Sequence, residues 1–287
     1  MNAERIQVAA VLGAGTMGHG IAHVLAQAGI ETRLFDVAQD PVDAGLAKVR
    51  ANLEKGVARG KVSEADRDAA LGRLSGTADL GAAVEGAQVV IEAVPERMEL
   101  KTSIFSDLGE RTGKDVLLAT NTSSLSISTI AAAAEHPERV VGMHFFNPVH
   151  IMKLVEVVRA ESSSEEAVRC ALDLAGRMGK TPIDVRDAPG FASSRLGIAI
   201  GMEAIRMVEE NVASAKDIDT AMTLGYGFPM GPLKLTDLVG LDTRLSIATY
   251  LSGALGERFM PPQLLRDMVE RGELGKKSGK GFYDWSE

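Results

Sequence analysis

The stretch that most restricts the fold is Gly13-Ala14-Gly15-Thr16-Met17-Gly18. It follows an apolar run, Ile6–Leu12, and opens an amphipathic one, Met17–Ala28. A G-x-G-x-x-G alone is a weak signal. Between a strand and a helix it describes the first turn of a βαβ unit. There the first glycine makes the tight turn, the second lets the backbone approach a pyrophosphate, and the third lets helix and strand pack closely. The helix start then offers N–H groups and the positive end of its dipole to phosphates. All six residues, Gly13, Ala14, Gly15, Thr16, Met17 and Gly18, are therefore expected to bind a dinucleotide.

Asp36 follows the second apolar run, Thr32–Phe35, about 20 positions after the first glycine, where a carboxylate takes the ribose hydroxyls of NAD. It would repel a 2′-phosphate, and no Arg directly follows it, so NAD is expected rather than NADP. The alternative reading of Asp36 is a solvated turn carboxylate.

Short, often β-branched runs recur at Ala87–Val94, Val116–Thr120 and Val140–His144, with helical patterns at Pro41–Arg59, Ser63–Leu74, Arg97–Arg111 and Ile127–Ala134. This alternation predicts an α/β fold, a Rossmann-like doubly wound, mainly parallel sheet. Lys153–Val158 and Thr181–Val185 are two further strand candidates around a helix at about Ser164–Met178. Arg186-Asp187-Ala188-Pro189-Gly190-Phe191 reads as a linker, and the chain is helical in pattern from Ser193 on. The 287 residues suit two domains: 1–186 for the nucleotide, and 187–287 as a smaller, mostly α-helical unit.

The formal net charge of −8 argues against a nucleic-acid binder, which needs a basic surface. Cys170 is the single cysteine, so neither an internal disulfide nor a Cys-rich metal site can form. It reads as a packed small side chain, and no residue is assigned to a metal. The N-terminus lacks the regions of a signal peptide, and no apolar run reaches the roughly 18 residues of a membrane span. A cytoplasmic protein without membrane contact is expected.

His144 ends a strand-like run, which puts it at the carboxyl edge of the sheet, where ligands bind in such folds. Its ordinary pKa suits proton exchange near neutrality. Glu156 sits within Lys153-Leu154-Val155-Glu156-Val157-Val158, where a carboxylate is costly unless paired. A turn at Asn147-Pro148-Val149 could fold that run back beside His144. Glu156 would then fix the imidazole tautomer and stabilise the imidazolium, as the orienting acid of a triad does. The alternative, a structural His and an outward Glu, stays open on these residues alone. His19, His23, His136 and His150 make weaker candidates, with His19 and His23 read as packing or surface residues. Asn121-Thr122-Ser123-Ser124 occupies the same edge and offers a hydroxyl to a substrate oxygen, or else a helix cap at Ser124 or Ser126.

Lys48, Asn52, Lys55 and Arg59 share one helix face at i, i+4, i+7 and i+11, a basic stripe on an acidic protein that suits an anionic ligand or plain solvent.

Together these segments resemble the (3S)-3-hydroxyacyl-CoA dehydrogenases of the short, 3-hydroxybutyryl-CoA dehydrogenase type. The resemblance spans essentially the whole chain. It rests on Gly13–Gly18, Glu96 through Lys101, Asn121–Ser124, His144-Phe145-Phe146-Asn147-Pro148, Met152–Glu156 and Asp187–Phe191. It continues in Asp217–Met222, Pro229-Met230-Gly231-Pro232 and Gly275–Phe282. It implies that His144 takes the proton of the 3-hydroxyl, that Glu156 orients it, and that Ser123 hydrogen-bonds the reacting oxygen. It further implies that Asn147 lies between nicotinamide and catalytic residues, and that Glu96, Lys101 and Lys277 contact NAD. Asn52 and Arg59 fall where the family contacts coenzyme A, and Lys55 shares their face. The helical domain is implied to close over the substrate and form a homodimer. The implied substrates are acetoacetyl-CoA and 3-hydroxybutanoyl-CoA.

One departure stands out. Where the family commonly has Asn before the Arg of its Pro-Gly-Phe segment, this chain has Ser194, a shorter group with one donor. Ser194 is expected to serve the substrate oxygen in its place. Two other readings remain: a dehydrogenase of a free hydroxy acid or sugar acid, as in the gulonate dehydrogenase type, and a non-catalytic NAD-binding protein.

Overall fold

Near-continuous apolar strands need cover on both faces, and a parallel sheet with helices on each side supplies it. The computed structural model, which describes residues 1–286, has this arrangement in the first of two units, Met1–Ala188. Its strands are β1 Val8–Leu12, β2 Glu31–Phe35, β3 Leu74–Thr77, β4 Val89–Glu92, β5 Leu117–Thr120, β6 Val140–Phe145, β7 Leu154–Arg159 and β8 Thr181–Arg186. They form one sheet in the order β3-β2-β1-β4-β5-β6-β7-β8. Every neighbouring pair is parallel except β6 and β7. Every residue of β4, β5 and β6 is buried, as the unbroken apolar runs require.

The helices are α1 Thr16–Gln27, α2 Gln39–Ala58, α3 Glu64–Gly72, α4 Leu80–Val84, α5 Met98–Arg111, α6 Ile127–Ala131 and α7 Glu165–Arg177. Ser63 caps α3 by accepting the Asp66 N–H, so the expected start holds. The expected end does not: Leu74 begins β3 rather than closing the helix. This strand, Leu-Ser-Gly-Thr, lies at the sheet edge and is nowhere fully buried, so it needs no apolar run. The short α4 was likewise absent from the sequence expectation, and α6 stops three residues before Ala134.

The strand order turns back on itself between β1 and β4. That is the switch point at which doubly wound sheets bind ligands, outside the carboxyl ends of the strands. The register lines up Phe35, Leu12, Glu92, Thr120 and Gly142 across this edge. Asp36, Gly13, Asn121 and His144 lie just past that row.

The second unit begins at Pro189. It contains α8 Ser193–Glu209, α9 Ala215–Thr220 with a π-helical turn after it, α10 Pro232–Val239, α11 Leu241–Leu255 and α12 Gln263–Glu270. Two buried carboxylates tie it together. Asp219 accepts the N–H groups of Leu233 and Lys234 and the Tyr283 hydroxyl. Asp237 accepts the N–H groups of Phe282 and Tyr283 and the Trp285 indole. A β-carbon at Gly231 would fall 2.2 Å from Asp219, and one at Gly281 2.2 Å from Asp237, so glycine is required beside each anchor.

The apolar periodicity of α8 does not by itself call for a partner chain. Ile198, Met202 and Ile205 do not want for cover, because they pack with Leu233, Leu241 and Leu251 of the same unit. Among the described residues no helix is long and apolar enough to cross a membrane, and no cluster of His, Cys, Asp or Glu could hold a metal ion.

Candidate active site

The glycine loop sits at the end of β1. Gly13 has φ +99, and a β-carbon there would lie 2.7 Å from the Ala93 carbonyl oxygen, so no other residue fits. A β-carbon at Gly18 would meet the Gly13 oxygen at 1.6 Å, which brings α1 directly against the loop. A β-carbon at Gly15 would meet nothing within 4 Å: the protein itself leaves that side open for a ligand to approach. No side chain caps α1, and its first turn, which begins with Thr16 and Met17, holds no acid. This is the arrangement that suits a pyrophosphate.

Asp36 is more than a loose carboxylate at this edge. Its Oδ2 accepts the Ala14 N–H at 2.8 Å and its Oδ1 accepts the Val37 N–H at 2.8 Å. Each oxygen has a further lone pair, so the fixed carboxylate can also accept ribose hydroxyls.

The next two strand ends share a carboxylate network. Glu92 is wholly buried at the end of β4. Its Oε1 accepts from Lys101 Nζ at 2.6 Å and from the Val94 N–H at 2.7 Å, while Oε2 accepts from the Thr120 hydroxyl at 2.7 Å. Glu96 Oε1 accepts the Thr122 hydroxyl at 2.6 Å, the Ser123 N–H at 2.8 Å and the Ser123 hydroxyl at 3.2 Å. Desolvation raises the Glu96 pKa, but the Thr122 hydrogen bond, the Lys101 charge and the Ser123 bonds together hold it below the usual range. Glu96 thus fixes the loop that carries Ser123. Lys101 is buried against Glu92, 3.5 Å from Glu96.

His144 and Glu156 are direct cross-strand partners in the antiparallel β6–β7 pair. His144 Nδ1 lies 2.7 Å from Glu156 Oε2, with Glu156 fully buried and His144 nearly so. The Phe146 ring leans on the imidazole, centroids 4.5 Å apart. Asn121 Oδ1 accepts the Phe145 N–H at 2.9 Å, which ties the Ser123 loop to the strand end bearing His144. Asn147 is exposed in the turn after β6, and its peptide bond to Pro148 is cis. From the residue before β8, the buried Lys180 ammonium donates to the carbonyls of Val149 and Met152 and pins this turn.

A groove of about 410 Å³ opens beside the turn, between α1, the end of α2 and residues 150–153. Asn52, Lys55 and Arg59 line it, together with Lys61 and Lys153. Lys48 does not, because the groove begins farther along α2. No carboxylate lines it among the described residues.

In the second unit, Ser194 falls in the first turn of α8. The Lys277 ammonium is 2.6 Å from Asp242 Oδ2. Three residues take parts beyond those the sequence assigns them. Glu92 lay hidden in an apolar run, although a carboxylate there needs a buried partner. Asn121 acts through its amide. Asp187, read as linker, accepts from the Ser126 hydroxyl and the Ser128 N–H, while Ser126 is the α6 cap.

Residues 8–188 match the NAD binding domain of 3-hydroxyacyl-CoA dehydrogenase, and residues 190–285 match its C-terminal domain. A 3-hydroxybutyryl-CoA dehydrogenase of Mycobacterium tuberculosis is 45% identical over 285 residues, covering 98% of this chain and 99% of the relative. A 3-hydroxyadipyl-CoA dehydrogenase of Escherichia coli is 42% identical over 98% of this chain and 59% of its own length. The crystal structure of an (S)-3-hydroxybutyryl-CoA dehydrogenase from Ralstonia eutropha superposes with a TM-score of 0.94 at 37% identity, over 98% of this chain and all of that one. With both domains matched and full-length relatives this similar, the chain belongs to the 3-hydroxyacyl-CoA dehydrogenase family of NAD-dependent oxidoreductases.

Proposed function

We propose that this enzyme interconverts short-chain (S)-3-hydroxyacyl-CoA and 3-oxoacyl-CoA, with His144 and Glu156 as its acid–base pair. The observation that carries this reading is the 2.7 Å bond between them at the ligand-binding edge. Bound NAD supplies the redox chemistry, accepting hydride in oxidation and returning it, as NADH, in reduction. With Nδ1–H donated to Glu156, the Nε2 lone pair of His144 takes the proton of the 3-hydroxyl. Glu156 stabilises the imidazolium so formed. Ser123, held by Glu96, hydrogen-bonds the reacting oxygen, and Asn147 lines the same end of β6. The role given to Ser194 rests on the family pattern, as do NAD contacts by Glu96, Lys101 and Lys277.

The basic groove supports coenzyme A as the carrier. Reversing the charges of Lys55 and Arg59 should raise KM for acetoacetyl-CoA strongly, and KM for a short thioester mimic without the nucleotide far less. Contacts that hold ground and transition states equally appear mainly in KM. Equal effects on the two substrates would reduce the stripe to a solvated face. Assays with acetoacetyl-CoA, longer 3-oxoacyl-CoAs and free acetoacetate test the substrate directly. Turnover of the free acid at comparable kcat/KM would overturn the CoA reading.

Asp36 is proposed to set the preference for NAD. Asp36→Ala should weaken NADH binding and narrow its lead over NADPH. The loss has two sources, the ribose contact and the Ala14 N–H that the carboxylate holds. A wild-type enzyme that uses NADPH equally well would refute the assignment.

A homodimer is proposed on the second unit. Its support is the exposed apolar set Leu196 and Ile200 of α8 and Leu235, Leu238 and Val239 of α10. Such a patch on one unit suits a two-fold contact. Light scattering should give twice the chain mass, reduced to the monomer by Leu235→Glu with Leu238→Glu. A monomeric wild type at micromolar concentration would exclude it.

A further inference from the structure

The groove contains a feature that fixed positive charge alone does not explain. His150 is stacked on His23, with ring centroids 5.3 Å apart and planes 9° from parallel. Both rings line the groove. His23 is 3% exposed, and its Nδ1 has no hydrogen-bond partner among the described residues. His150 is only partly buried and forms the outer face of the stack.

We propose that His150, backed by His23, is a proton-accepting ligand for a phosphate group of the CoA substrate, neutral in the free enzyme and protonated in the complex. This rests on the reading of the groove as the CoA site.

Around the stack, α1 contributes His19 one turn before His23 and Gln27 one turn after it. Lys55 faces the groove from α2, Arg59 from the residue that ends it, and Lys61 from the connection that follows. Lys153 comes from the same turn as His150, and the Lys180 ammonium lies beneath that turn, bonded to its carbonyls. Apart from the Gln27 amide, every one of these groups is a cation or a group that can become one. Burial lowers the His150 pKa first, and the charges of Lys180, His19 and Lys55 lower it further. Burial, with His150, His19 and Lys180, takes His23 to about 4, against a small opposing effect of Gln27. Both rings are therefore neutral at pH 7.

A phosphate dianion entering the groove reverses the field at His150, the more exposed ring. An opposite charge within ~4–6 Å raises an imidazole pKa. His23 stays neutral, since two stacked imidazolium ions would repel. Its neutral face shields one side of the His150 ring. The sign follows from linkage. If the ligand raises the His150 pKa, binding takes up a proton and affinity grows as pH falls through the bound-state value. The gain levels off below the free-state value, which burial and the neighbouring cations hold below that of an ordinary imidazole. A His150 pKa higher by one in the complex corresponds to about tenfold in affinity at low pH. Lysine and arginine set the baseline of binding, and the histidine adds a part that depends on pH.

The test follows the imidazole Hε1 resonances of the full-length enzyme against pH, with His150→Gln identifying the His150 signal. The His150 midpoint should rise by about one pH unit or more when CoA saturates the protein. Calorimetry in buffers of different ionisation enthalpy should show proton uptake that is lost in His150→Gln. The ligand's own ionisation is common to both proteins and cancels in the comparison. Dephospho-CoA separates the two sources of phosphate. A rise lost with it assigns the contact to the 3′-phosphate, and a rise retained assigns it to the pyrophosphate. A His150 resonance that titrates identically with and without CoA overturns the proposal. Arg59→Ala examines the underlying reading by itself. Unchanged CoA affinity there removes the CoA site, whereas weakened affinity with an unmoved His150 removes only the histidine.

Discussion

His144→Ala should bind NADH as the wild type does and lose kcat by about 10²–10⁴-fold, the usual worth of a positioned acid–base group. Its side chain lies past the last row of parallel strand pairing, so its removal leaves the sheet hydrogen bonds in place. Glu156→Gln should also slow turnover, because the carboxylate that fixes the tautomer and balances the imidazolium is gone. Steady-state kinetics on both single variants and the double variant decide whether they act together. A working pair gives a double variant little slower than His144→Ala, since Glu156 has nothing to orient once the imidazole is absent. Losses that multiply, or near-normal turnover by His144→Ala, would dissolve the proposed dyad.

The second large effect is on stability. Lys101 and Glu92 are almost completely buried, and Lys101→Met removes the cation that Glu92 bonds directly. Breaking a buried pair from one side costs about 3–5 kcal/mol, because a charge is left without its partner. The Val94 N–H and the Thr120 hydroxyl still donate to Glu92, which places the expectation toward the lower end. Urea denaturation followed by circular dichroism should show the midpoint fall. Adding Glu92→Gln should recover much of the loss. The double variant also examines the NAD contact proposed for Lys101. If stability returns and NADH affinity does not, the ammonium touches the cofactor. If both return, its part is to hold the ends of β4 and β5. An unchanged midpoint in Lys101→Met would contradict the energetic role.

What could be read from the sequence was what local rules or a single unpaired charge announce. The glycine loop and Asp36 are fixed by spacing along one βαβ unit. Glu156 declared itself as a carboxylate among valines, and His144 was the nearest group able to pair with it across one turn. Glu92 carried the same signal, but its partner lies on a helix, where no turn points to it. β3 escaped because an edge strand can be short and half exposed, and Leu74 continued the helical period before it. Helical periodicity puts Lys48 on the basic stripe as well, one turn short of the groove, since it gives a face and not the point where a groove begins. His23 and His150 are separated by most of the first unit, and only the fold stacks them. Ile198, Met202 and Ile205 show the same limit: periodicity marks an apolar face without saying whether its cover comes from the same chain or another.

The β6–β7 hairpin has a consequence for how this enzyme can change. His144 and Glu156 meet because their strands run in one register, and side chains alternate faces at every step. Adding or deleting a single residue in the connecting turn, with pairing slipped to match, would turn Glu156 to the opposite side of the sheet. That same turn supplies His150 and Lys153 to the groove. Chain length there is therefore locked, and new carrier specificities must arise by exchanging side chains on the turn or by remodelling the end of α2.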